Sequence, residues 1–204
     1  LPKIGDKKKI IEMANSNAEY IIREYNLALE KRDQVIPRSV LSLQRDLRLP
    51  KVPRIIECFD NSHLQGTDLV SSMVYFEDGL PKKSEYRKFK NRTVNQNDDF
   101  AAMREAVERR YSRLIEENKP LPDLIIVDGG KGQLSSAVSV LENLGIMNKV
   151  SIIGLAKRLE EIYLPKSSEP TQLPRTSSSL KLIQKLRDEA HRVAIGFHRQ
   201  LRSK

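Results

Sequence analysis

The chain has a single cysteine, Cys58, in 204 residues, which excludes an internal disulfide framework and any cysteine-rich zinc site. Cys58 reads instead as a small buried hydrophobe on a strand. Long apolar runs are missing too. No stretch approaches the roughly 18 to 20 residues that span a bilayer, and the opening LPKIGDKKK lacks the apolar core of a signal peptide. No membrane partner is expected, and the chain reads as soluble and cytoplasmic. It begins at Leu1 without Met and stops in a basic helical pattern, as expected of a fragment of a longer polypeptide. No repeat of about 20 to 50 residues is visible.

What is present suits one α/β domain with a small appendage, because 39% hydrophobic residues furnish a sizeable core. Lys and Arg number 36 against 27 Asp and Glu, a formal charge of +9. That excess is compatible with a polyanionic partner, and equally with an ordinary basic soluble protein.

Apolar residues at three- and four-residue steps predict a long amphipathic helix over 6–33, and Ser39 caps a short second helix to about Leu47. Residues 1–50 are read as a helical appendage and 51–204 as the main domain. After Pro50 and Pro53 an apolar run, RIIECF, delivers Asp60 to the end of a strand. Strands are also predicted over 69–76 and 84–90, a helix from Asn97 or Asp98 to about Asn118, and a buried strand over 124–127 that ends in Asp128. A helix over 133–144, a buried strand over 150–155, a loop over 166–179 and a last helix or broken pair over 180–202 complete the chain. Three strands followed by αβαβα, with right-handed crossovers, make a mixed five-stranded sheet with helices on both faces. This is the ribonuclease H-like plan.

Asp60 and Asp128 each follow an apolar strand, and parallel neighbours would bring both carboxylates to one sheet edge. Neighbouring strands lie roughly 4.8 Å apart, and two catalytic divalent ions sit about 3.5 to 4 Å apart. Such oxygen ligands suit Mg²⁺ or Mn²⁺. Taken alone, an aspartate after a strand is usually a turn former or helix cap, and Asp128 before two glycines reads equally as a turn former. A third member is sought in the last helix, in RDEAHR, where His191 is a metal ligand or proton-transfer group and Asp188 shares its face. His63 and His198 are read as structural. Asp98 and Asp99 suit an N-cap and a first-turn carboxylate, while Asp99 in particular is also a candidate ligand or supporting contact.

In GGKGQ, Gly129, Gly130 and Gly132 let backbone approach a phosphate, the following helix offers free N–H groups, and Lys131 adds charge. The spacing is not that of a Walker loop, so a nucleotide switch ranks behind the other readings. Arg87, Lys88, Lys90 and Arg92, together with Arg192 on the last helix, form a basic rim suited to a phosphodiester backbone.

FDNSHLQG, NDDFAAM, LIIVDGGKGQL, GLAKRLEEIYLP and RDEAHRVAI resemble, in order and spacing, the C-terminal endonuclease half of UvrC, over about 53–197. The resemblance implies a ribonuclease H-like fold, incision on the 5′ side of a lesion in damaged double-stranded DNA, a divalent metal, and an Asp60, Asp128, His191 triad. It places Lys157 and Glu160 in another family motif, as supporting candidates. Asn61 stands in FDNSH where a small or aliphatic residue is expected. Full-length UvrC proteins also bind UvrB and carry further DNA-binding modules, and the segments responsible are not visible in this sequence. The rival reading is a non-catalytic nucleic-acid or partner-binding module on the same fold.

Overall fold

A computed structural model describes residues 5–34, 36–62, 70–90, 98–156, 161–165, 167 and 169–202. The chain divides into two compact units, Leu1–Ile36 and Pro37–Lys204. The first is helix α1 (Asp6–Gln34). The second begins with α2 (Arg38–Asp46) and holds the whole sheet: β1 (Ile55–Ser62), β2 (Val70–Glu77), β3 (Leu80–Pro81), β4 (Arg87–Lys90), β5 (Leu124–Asp128), β6 (Ser151–Ala156) and β7 (Glu161–Tyr163). Between these strands lie α3 (Asp99–Glu116) and α4 (Lys131–Asn143), and α5 (Ser178–Arg202) closes the fold as one unbroken helix.

The strand order is β3-β2-β1-β5-β6-β7, with β4 also paired to β2. β1 runs antiparallel to β2 and parallel to β5, and β5 runs parallel to β6. This is the expected mixed α/β, ribonuclease H-like sheet, with seven strands rather than five among the described residues. The third predicted strand, 84–90, is divided. Asp78 and Gly79, both at positive φ (47° and 73°), make a two-residue hairpin turn that pairs Glu77 with Leu80. The ladder continues past Pro81 for one more bond, Lys82 N to the Tyr75 carbonyl at 2.9 Å. The chain leaves the edge in a 3-10 turn at Lys83–Glu85 and returns to β2 only at Arg87. β7 is an additional three-residue strand, antiparallel to β6.

Alternation along β1 sends successive side chains to opposite layers. Phe59 joins Met73, Ile125, Val127, Met103, Val107, Leu134 and Leu141 in the core beneath α3 and α4. On the same side, buried Glu57 accepts from Arg110 at 2.5 Å and from the Tyr111 hydroxyl at 2.8 Å, tying the middle of α3 to β1. Removing one partner of such a buried pair costs about 3–5 kcal/mol. The other face is covered by α5, which packs on β1 and β2, with α2 against α5. Buried Leu182, Ile183, Leu186, Ala190, Val193 and Ala194 form its inward stripe. At the opposite end of the strands, Asp123 Oδ2 accepts from Ile55 N at 2.8 Å and Oδ1 pairs with Lys51 at 2.8 Å, which holds the start of β1 beside β5.

Candidate active site

Asp60 and Asp128 are direct partners in the parallel β1–β5 ladder. They therefore share a face, the one covered by α5, near the carboxyl ends of both strands. They are 0% and 4% exposed. Across the other side of β1, Asp60 is the partner of Ser72. The Ser72 hydroxyl donates to the Ala190 carbonyl at 2.9 Å, which seats α5 one residue before His191. The His191 Nδ1 lies 3.2 Å from Asp60 Oδ2, with the histidine side chain 53% exposed. The three residues proposed from sequence thus converge on one face, with a buried carboxylate pair under a half-exposed imidazole.

Cys58, two residues before Asp60, lies on the same face. Burial pushes its thiol well above the ordinary range, and the Asp128 and Asp60 carboxylates push in the same direction. It therefore stays protonated and adds no negative charge. Asp188, the other polar residue singled out on the last helix, accepts from Arg187 at 3.1 and 3.2 Å.

Asn61 points to the opposite layer from Asp60. It is 6% exposed, and its Nδ2 donates to the Asp99 backbone carbonyl at 2.9 Å. The polar residue that departs from expectation in FDNSH therefore clamps the first turn of α3 to the strand bearing Asp60. Asp98 is the N-cap of α3, accepting from Ala101 N at 2.9 Å, and so takes the capping role that sequence allowed. Asp99 is the first residue of the helix.

The basic residues fall into distinct settings. Arg87 bonds to the Ser84 and Tyr86 carbonyls, and Lys88 donates to Gln200 at 2.8 Å and lies over the Phe197 ring. The Lys90 carbonyl accepts from Arg109. Arg192 makes two 2.7 Å bonds to Glu189, which also accepts from Tyr86 at 3.0 Å. The Lys88 contacts with Gln200 and Phe197 and the Tyr86–Glu189 bond hold the β4 edge to α5, while Arg109 ties α3 to Lys90. Lys131 Nζ sits 5.7 Å from the centre of the Tyr163 ring.

The glycines of GGKGQ are not equivalent. Gly130 is the N-cap of α4, and a Cβ there would meet nothing within 4 Å. On Gly132 a Cβ would lie 2.4 Å from the Phe100 ring, so this glycine admits a side chain from α3. Arg92, Lys157, Glu160 and His63 lie outside the described residues, as does the His198 side chain.

Sequence reasoning missed Ser72 and the Glu57–Arg110–Tyr111 cluster. The signal available for Glu57 was an acidic residue inside a strand otherwise apolar up to Asp60. Ser72 carried none, because its role depends on which helix lies above it.

Residues 44–195 match the family described as the UvrC RNase H endonuclease domain. UvrABC system protein C of Christiangramia forsetii is 53% identical over 206 residues, covering 100% of this chain and 34% of that protein. The corresponding protein of Porphyromonas gingivalis strain W83 is 50% identical over 210 residues, again across the full chain and 34% of its own length. The chain thus spans about a third of these relatives. Among solved structures, Ciona intestinalis Endonuclease V in complex with a 24mer DNA aligns at a TM-score of 0.39 and 21% identity over 84% of this chain and 69% of that one, too distant to bear on the site. The family match runs through both aspartate strands and the α5 histidine, and the chain belongs to the UvrC RNase H endonuclease domain family.

Proposed function

We propose that this chain is the metal-dependent endonuclease domain that hydrolyses a phosphodiester on the 5′ side of a lesion in double-stranded DNA during nucleotide excision repair, within a longer protein that also engages UvrB. The observation that carries the reading is the register of Asp60 with Asp128 beneath His191.

The donor set is chemically suited to Mg²⁺ or Mn²⁺. Two buried carboxylates side by side repel one another, and a divalent cation relieves that repulsion through hard oxygen ligands. Among the described residues no three His, Cys, Asp or Glu donors are grouped closely enough to hold an ion alone. Asp60 and Asp128 would be the protein ligands, with water or substrate oxygens completing the shell, as is usual for Mg²⁺. When bound, the ion supplies charge stabilisation and a more acidic water.

The protein groups do the positioning. With Asp60 ionised its carboxylate only accepts hydrogen bonds, so His191 Nδ1 donates to it and Nε2 is the ring nitrogen left for a proton or a ligand. Ser72 fixes the height of α5 over the strands, and Asn61 fixes the first turn of α3 beside them. The residues favoured for the DNA backbone are Gly130, Lys131, Gly132 and the basic rim of Arg87, Lys88, Lys90, Arg92 and Arg192. Lys157, Glu160 and Asp99 are favoured as supporting groups.

Nicking of supercoiled plasmid in Mn²⁺ or Mg²⁺ tests the assignment. Asp60→Ala and Asp128→Ala should each abolish nicking with an unchanged circular dichroism spectrum. A folded Asp60→Ala chain that nicks at the wild-type rate would instead assign the carboxylates to structure.

A further inference from the structure

Phe100 is the feature that the hydrolytic reading leaves unused. It is a large aromatic left 49% exposed at the second position of α3. It nevertheless sits at a well-anchored place. The residue before it is held to β1 by Asn61, the neighbour of Asp60. Its ring crosses to α4, where a Cβ on Gly132 would come within 2.4 Å of Cε1 and 2.7 Å of Cζ. Gly132 follows Asp128 by only four residues. Phe100 therefore bridges the N-termini of two helices that both begin at the carboxylate end of the sheet.

Gly132 has no positive φ to explain it, since the positive-φ glycines among the described residues are Gly5, Gly79 and Gly145. Glycine gives up more chain entropy on folding than any other residue, and Gly132 is fixed in the first turn of α4. The return visible in the structure is a seat for the Phe100 ring, and a seat that leaves half of the side chain outside gains little as core packing. A flat ring, fixed along one edge and otherwise open, is suited to receiving another flat ring at low entropic cost. Cations accompany it. Exposed Lys131 precedes Gly132, and exposed Arg104 lies one helical turn beyond Phe100.

We propose that Phe100 is a nucleobase-stacking platform at the carboxylate edge, taking an unpaired base of a DNA strand whose phosphates run past Lys131 and Arg104. The proposal rests on the nucleic-acid reading above and adds to it a demand for a locally unstacked base near the scissile bond. Stacking on an aromatic is tolerant of base identity.

The chain has no tryptophan, so Phe100→Trp installs a single reporter. It is titrated, without divalent metal and at low salt, with oligothymidine and with an abasic oligonucleotide of the same length and charge. Oligothymidine should quench the new tryptophan and the abasic strand should not. Phe100→Leu should bind oligothymidine roughly 5- to 100-fold more weakly than wild type, with Phe100→Tyr within about twofold. Equal quenching by both strands, or a folded Phe100→Leu chain that binds oligothymidine as wild type does, overturns the platform. So does an equal loss of affinity for both strands. Failure of the wild-type chain to bind either strand overturns the platform as well, while the double-stranded DNA reading is tested separately by plasmid nicking. None of these measurements depends on cleavage, so they are independent of the outcome for Asp60→Ala and Asp128→Ala.

Discussion

Glu57 and Asp60 lie on the same strand and face opposite layers, and their surroundings separate a structural charge from a chemical one. Glu57 is enclosed by a guanidinium and a phenol that serve its carboxylate directly. Asp60 lies beside a second carboxylate and under a histidine that is half open to solvent. Glu189 is a third case, a carboxylate that holds elements together near the surface. Its hydrogen bond with Arg192 holds its carboxyl below the ordinary value of 4.5, against burial, and the Tyr86 hydroxyl helps. Burial and the Glu189 bond raise the Tyr86 phenol in turn. A depressed carboxyl contributes stability above its unfolded value and loses it as pH falls through the folded one. Glu189→Gln should therefore lower stability by about 1 kcal/mol at pH 7, and the gap from wild type should close as pH falls below about 4.5. Urea midpoints across that range check it. A gap that stays constant into acid would show that the carboxylate charge contributes nothing.

At the scale of elements, α5 positions the site. Its apolar stripe was readable from sequence, but a stripe fixes only which side of a helix is buried, leaving its height along the sheet open. The Ser72 hydroxyl bond to the Ala190 carbonyl sets that height and so decides which residue of RDEAHR stands over Asp60. Ser72→Ala should cost about 1 kcal/mol in urea unfolding. It should also lower the nicking rate while leaving DNA affinity unchanged, because the bond places His191 and makes no contact with the phosphate backbone. Nicking at the wild-type rate in that variant would show that packing of the stripe alone sets the helix. The divided third strand has an equally local cause. Alternation in SEYRKFK suggested one strand, yet the pairing begun at the Asp78–Gly79 hairpin stops after Lys82, where a 3-10 turn at Lys83–Glu85 lifts the chain off the edge, and β2 is rejoined only at Arg87.

For the whole molecule, contacts part the chain at Ile36 and Pro37, and α2 contributes buried Val40 and Leu43 to the larger unit. The Ser179 hydroxyl donates to Asp46 at 2.6 Å, joining α2 to the start of α5. A chain comprising residues 37–204 should therefore fold cooperatively, with a urea midpoint close to that of the full chain, whereas a start at residue 51 should lower it through loss of the α2 packing. Equal midpoints for the two truncations would show that α2 contributes nothing to the fold.

What is local can be read along the chain: apolar runs that end in Asp60 and Asp128, helices with their caps and stripes, and motifs sufficient to point to the family. Hydrophobic period and turn chemistry act over a few residues, so they are legible without the fold. It took the folded sheet to place β1 beside β5 in the register that sets Asp60 against Asp128, and to bring His191, 131 residues farther along, to the same carboxylate. Those placements arise from packing across the whole sheet. The same packing sends Asn61, next to Asp60 in sequence, to the opposite layer, where it anchors the helix that carries Phe100.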